Sequence, residues 1–105
     1  MGDYNNVRFV KLVRASTPYK WKVILRYTKD GRERTKNIRF GRRPYEDYTI
    51  HKDEERKKLY IERHAKRENW TKQGIFTAGF WSRWLLWNRS TISASLEDIR
   101  DRFDI

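Results

Sequence analysis

The segment from Tyr19 to Phe40 constrains the fold more than any other part of the chain. In Tyr19-Lys20-Trp21-Lys22-Val23-Ile24-Leu25-Arg26-Tyr27, the residues Tyr19, Trp21, Val23, Leu25 and Tyr27 alternate onto one side of an extended strand. Lys20, Lys22, Ile24 and Arg26 fall on the other side. Asp30-Gly31 then suits a two-residue type I′ turn, because glycine tolerates the positive φ that such a turn requires. Folding back about this turn sets Trp21 opposite Phe40, Val23 opposite Ile38, Leu25 opposite Lys36 and Tyr27 opposite Arg34. The apolar ends of both strands then share a face. An earlier strand, Val7 to Arg14, returns through Ala15-Ser16-Thr17-Pro18. Symmetrical pairing there puts Leu12 opposite Trp21 and Val10 opposite Val23. The expectation is a three-stranded antiparallel meander over about residues 7–40.

The opposite face of this meander gathers Lys11, Lys20, Lys22, Arg26 and Arg39, with Phe9 and Ile24 among them. In the symmetrical register Lys11, Lys22 and Arg39 form one row across three strands. Like charges directly opposite one another destabilise a sheet, so the row points to an anionic partner or to carboxylates supplied from elsewhere. The alternative is a solvated face with its long side chains splayed apart. The wider charge distribution favours a partner. Residues 1–44 carry 13 basic and 3 acidic side chains, residues 45–89 carry 10 and 7, and residues 90–105 carry 2 and 4. A localised positive field raises the concentration of polyanions or acidic surfaces around it. Phe9 is the only aromatic expected on the basic face, which favours phosphate contact over base readout.

After Gly41-Arg42-Arg43-Pro44, residues 49–67 contain no Gly or Pro and are rich in helix formers. Asp53/Lys57, Glu54/Lys58 and Glu62/Lys66 are acid-then-base pairs at i,i+4, which support a charged helix. On one continuous helix Lys52, Arg56, Tyr60, Arg63 and Arg67 line a basic stripe, with Ile50, Ile61 and Ala65 on the other side. That stripe suits a phosphate backbone or an acidic groove, and equally a solvated face held by its own ion pairs. His51 and His64 invite a nuclease or metal reading. Their spacing directs them to different sides of an unbroken helix, and catalysis needs a convergent set of groups. No paired-His metal spacing, Gly-rich phosphate loop or nucleotide fingerprint accompanies them.

Trp70, Trp81, Trp84 and Trp87 cluster with Phe76 and Phe80, and residues 78–88 are apolar around most of their circumference if helical. Such a helix must be buried, and the Trp21/Val23/Ile38/Phe40 face of the meander is its natural seat. Ile92, Leu96, Ile99 and Phe103 stripe a last helix over about residues 93–103, with Ser93 or Ser95 as candidate caps. The fold class is therefore α+β, in a single small basic domain over residues 1–105. The absence of cysteine excludes disulfides, thiolate metal sites and thiol catalysis, and fits a reducing compartment. No apolar run is long enough to span a membrane, and the polar start Met1-Gly2-Asp3-Tyr4-Asn5-Asn6 reads as neither a signal nor a transit peptide.

Asp47-Tyr48-Thr49-Ile50-His51-Lys52-Asp53, with Arg56, Tyr60, Arg63-His64 and Glu68-Asn69-Trp70, resembles a family of short basic proteins of nucleocytoplasmic large DNA viruses. Thr77-Ala78-Gly79-Phe80-Trp81-Ser82-Arg83-Trp84-Leu85-Leu86-Trp87-Asn88 looks like a second signature of that family, and the resemblance covers about residues 40–96. It implies a viral origin and a place in the virion and the infected cell, with no catalytic residue, cofactor or metal to carry over. The leading expectation is a non-enzymatic viral structural protein that binds nucleic acid, in particular duplex DNA, without strong sequence preference. Its contacts would come from Lys11, Lys20, Lys22, Arg26, Arg39, Lys52, Arg56, Tyr60, Arg63 and Arg67. The alternatives are a minor capsid or scaffold protein meeting acidic viral structural proteins and, last, a nuclease.

Overall fold

The computed structural model describes residues 5–105, so Met1 to Tyr4 of the polar start lie outside the described residues. The architecture is α+β. Strands β1 (Asn5–Arg14), β2 (Tyr19–Lys29) and β3 (Arg32–Arg42) form one antiparallel sheet in the order β1-β2-β3. The helices follow: α1 (Tyr48–His51), α2 (Glu54–His64), a 3₁₀ turn (Lys72–Gly74), α3 (Ala78–Trp81) and α4 (Ile92–Phe103). A π-helical turn, Ser82–Leu86, continues α3 directly.

The β2–β3 hairpin has the register that its alternation and turn demand, with Trp21 opposite Phe40, Val23 opposite Ile38, Leu25 opposite Lys36 and Tyr27 opposite Arg34. Asp30 and Gly31 take φ of 54° and 74°, the left-handed pair of a type I′ turn. β1 departs from the symmetrical register. Leu12 lies opposite Val23 and Arg14 opposite Trp21, while Phe9 lies opposite Leu25 and Lys11 opposite Ile24, leaving Val10 as an extra residue between them. The cause is in the sequence. Phe9 and Leu12 have opposite parity, and a regular strand would send one of them to solvent. A bulge resets the alternation. Both then pack against the core, and Val10 is put out at 38% exposure. Phe9 thus leaves the basic face, where it was expected, and lies beneath the Arg100 guanidinium at 4.9 Å.

The charged helix is broken. Lys52 ends α1 at φ 54°, and Asp53 begins α2 by accepting hydrogen bonds from the Glu55 and Arg56 N–H groups. Asp47 caps α1 in the same way through Thr49 N–H. Two Asp caps six residues apart outweigh the absence of Gly and Pro. The capping roles also displace the expected ion pairs: Asp53 is a cap, Glu54 accepts the Tyr48 hydroxyl, and Lys57 donates to the Asn88 carbonyl at 2.7 Å. None of the three i,i+4 pairs is formed among the described residues. Because α2 starts afresh, its inward side is Lys57, Tyr60, Ile61 and His64.

One core joins the two layers. Val23, Leu25, Ile38 and Phe40 of the sheet meet Ile75, Phe80, Trp81, Leu85, Leu86 and Ile99. Phe80-Trp81 and Leu85-Leu86 recur at a spacing of five, and the π turn, with Trp87 N–H reaching Ser82 C=O at 3.2 Å, carries both pairs inward. Burying indoles requires partners for their N–H groups. Trp81 donates to Ile75 C=O at 2.8 Å, Trp84 to Trp70 C=O at 2.9 Å, and Trp70 to the Glu68 carboxylate at 2.9 Å. The Ile92/Leu96/Ile99/Phe103 stripe of α4 packs on this core. Thr91, rather than Ser93 or Ser95, caps α4, and Ser95 is buried with its hydroxyl accepting from Arg89 N–H at 2.9 Å.

Candidate nucleic-acid interface

The helices cover the Val23/Leu25/Ile38/Phe40 side of the sheet. On the other side the bulge rearranges the basic residues. Lys11 sits beside Ile24, so the row Lys11/Lys22/Arg39 is not formed. Two like-charge cross-strand pairs take its place. Lys22 is directly opposite Arg39, and Arg26 is directly opposite Arg8, a residue that the symmetrical register did not bring to this face. Arg8, Lys11, Arg26 and Arg39 are exposed and Lys22 is half-buried. None of the five is in an ion pair with a described residue. Cations facing each other across a ladder, at Cα separations of about 5 Å, each work against the sheet.

Lys20 has a different fate from its neighbours on β2. Its ammonium pairs with Asp47 at 2.7 Å, with the two side chains only 12% and 3% exposed. It is a structural cation, tying the sheet to the cap of α1, and it offers no charge to a ligand. The helix stripe is dispersed as well. Lys52 donates to Thr49 C=O at 2.7 Å as part of the cap, and Arg56 meets Glu46 at 3.2 Å. Tyr60 points inward, stacked on Trp87 at 4.4 Å and on His64 at 4.2 Å. Burial pushes its hydroxyl well above the usual phenolic range. Arg63 and Arg67 remain exposed, Arg67 beyond the end of α2 and Arg63 on the outward side of that helix with Glu55 and Glu62.

The break in the helix also relocates the histidines. His51 lies 5.3 Å from Trp87 and His64 stacks on Tyr60, so both join one aromatic assembly instead of opposite sides of a rod. His51 Nδ1 accepts the Asp53 N–H at 2.9 Å, and His64 Nδ1 is 3.0 Å from Tyr60 C=O. No group of three His, Asp or Glu side chains able to hold a metal is found among the described residues. A groove of about 1330 Å³ between β1, residues 69–76 and α4 carries Arg8, Lys72 and Arg100, but also Glu97, Asp101 and Asp104. Its charges are mixed, whereas the open sheet face carries Arg8, Lys11, Lys22, Arg26 and Arg39 against Glu33 near the hairpin end. Among the described residues no helix is long and apolar enough to cross a membrane.

The basic surface continues at the end of the sheet that bears the β1–β2 turn. Arg42 and Arg43 are exposed there, between Gly41 and Pro44, and were not among the expected contact residues. Arg43 is anchored to that turn, its N–H donating to Pro18 C=O at 2.7 Å, its Nε to Tyr19 C=O at 3.0 Å and its Nη2 to Ala15 C=O at 3.4 Å. These bonds fix its position and leave its charge uncompensated.

Residues 10–64 match a family of unknown function (DUF5754), a span that runs from the bulge of β1 to the end of α2. No curated protein and no solved structure matches the chain.

Proposed function

We propose that this protein, which belongs to the family of unknown function DUF5754, binds nucleic acid through the open face of its sheet, without enzymatic activity or strong sequence preference. The observation that carries this reading is the two like-charge cross-strand pairs, Lys22 opposite Arg39 and Arg8 opposite Arg26, with no ion pair to a described residue, on the face of the sheet turned away from the Val23/Leu25/Ile38/Phe40 core. A chain retains such contacts at a cost to its own stability when an external polyanion completes them. Lys11 adds a fifth cation beside them. The side chains exposed between them, Thr35 and Asn37, offer hydrogen bonds to phosphate and no aromatic platform, which favours backbone contact over base readout.

The resemblance over residues 40–96 supports a role as a structural component of the virion of a large DNA virus, and within that reading duplex DNA is the ligand to test first. The test is a titration on duplex DNA at several salt concentrations. Neutralising four or five phosphates gives a log–log slope of about −4, and Arg39→Gln flattens it by about 1. Binding that is absent at low salt, or indifferent to salt, overturns the reading. In fractionated virions the protein is expected to leave with the DNA. Retention in the protein shell after genome release would assign the same face to acidic capsid proteins.

A further inference from the structure

We propose that Tyr45, beside Arg42 and Arg43, is a stacking site for an unpaired base, which gives the protein a contact with single-stranded nucleic acid that duplex cannot make. The proposal rests on the nucleic-acid reading above and extends it to a surface outside the sheet face. Tyr45 is 70% exposed, while every other described tyrosine is buried or half-buried. Tyr27 packs on Phe76, Tyr48 lies under the Lys57 ammonium, and Tyr60 stacks on Trp87. No described ring or cation lies against the Tyr45 ring, and its hydroxyl has no described partner. The segment carrying it is nevertheless firmly held. Tyr45 N–H closes a turn onto Arg42 C=O at 3.1 Å, and Arg43 is bonded to the neighbouring turn through three donors. Two residues on, Asp47 is 2% exposed and pinned by Lys20 and by Thr49 N–H. An aromatic ring presented to solvent from fixed backbone loses little freedom on binding a flat partner.

The charges around the ring identify that partner. Arg42 and Arg43 are exposed without a described ion pair, and the nearest carboxylate in sequence, Glu46, is taken by Arg56 at 3.2 Å. Two exposed guanidinium groups, two and three positions before an open aromatic ring on the same short segment, suit a nucleotide, whose base stacks while its phosphates meet the cations. In duplex DNA the faces of the bases are already stacked on one another, so only a single strand, a frayed end or a flap offers one to Tyr45. Arg39 of the sheet face lies three positions before Arg42 on the same strand, so the two surfaces adjoin.

The experiment is fluorescence anisotropy of the full chain with a labelled oligothymidine and with a duplex of equal length, at one low salt concentration. Tyr45→Ala is expected to lose about tenfold in affinity for the single strand and less than twofold for the duplex, while Tyr45→Phe keeps both. Most of the ring is exposed and it is not part of the core, so Tyr45→Ala should unfold close to the wild-type temperature, which separates lost contact from lost fold. Equal losses on both ligands, or no loss on the single strand, overturn the proposal while leaving the sheet-face reading intact. Failure of the wild-type protein to bind either form at low salt overturns both.

Discussion

The two faces of the sheet are built from the same three strands, yet they obey different rules. On the covered face Val23, Leu25, Ile38 and Phe40 are nearly inaccessible and locked against Trp81 and Leu85. On the open face, one residue away along each strand, Lys22, Arg26 and Arg39 confront cations across the ladder and form no ion pair with a described residue. The covered face is explained by burial alone. The open face is not, since its arrangement lowers stability, and this asymmetry is what directs attention to a ligand. Lys20 and Lys22 express the difference in miniature: identical residue types on one strand, one neutralised inside the structure and one left in excess outside it.

The comparison can be broken most forcefully from the covered side. Trp81→Ala removes the largest fully buried side chain and is expected to cost about 4 kcal/mol, read as a lower denaturant midpoint at unchanged slope. For a small domain that approaches the whole stability. Lys20→Ala comes next. It strands the Asp47 carboxylate in a buried position and should cost about 3 kcal/mol, while DNA affinity of the folded protein stays within twofold. Lys22→Ala should do the reverse, leaving the denaturant midpoint unchanged or slightly raised and flattening the salt slope of DNA binding by about 1. A Lys22 variant that unfolds, or a Lys20 variant that merely binds less, would erase the distinction between the two faces.

The smallest effect lies away from the sheet, at Asp98. Burial opposes its ionisation, but hydrogen bonds from Asn88, Arg102 and Arg89 outweigh that cost and hold its carboxyl below the ordinary aspartate range. A depressed folded-state pKa contributes stability that is present above the unfolded value, near 3.9, and disappears as pH falls through the folded value. Asp98→Asn should therefore cost about 1 kcal/mol at neutral pH. It should also converge on wild type in acid, and thermal unfolding across pH 2–7 reads both.

The β2–β3 hairpin could be read directly because period-two alternation and Asp30-Gly31 specify the same register independently. β1 could not, because its bulge resolves a parity conflict between Phe9 and Leu12 that a symmetrical return from the turn ignores. That single residue decided the candidate site, removing Phe9 from the open face and bringing Arg8 onto it. The helix break was written in Asp47 and Asp53, but strong helix formers on both sides masked it. Once the break is present, the wheel on which Lys52, Arg56, Tyr60, Arg63 and Arg67 shared a line no longer holds, and Tyr60 turns to the core. The π turn was similarly hidden, since the five-residue spacing of Phe80-Trp81 and Leu85-Leu86 fits no ordinary helical period.

The first half of β3 has a bearing on handling the protein. Residues 32–37 are exposed, and β3 is an edge strand, so among the described residues its outer backbone N–H and C=O groups have no further strand to pair with. Such an edge invites a second sheet to add itself, and positively charged side chains are among the devices that deter it. Arg32, Arg34 and Lys36 supply that deterrent here. Charge on this strand therefore guards solubility as well as forming part of the positive field. Stripping it with apolar replacements would encourage edge-to-edge aggregation and imitate a binding defect, so Gln or Ser is the sounder substitution on this strand, with sedimentation confirming a monodisperse sample.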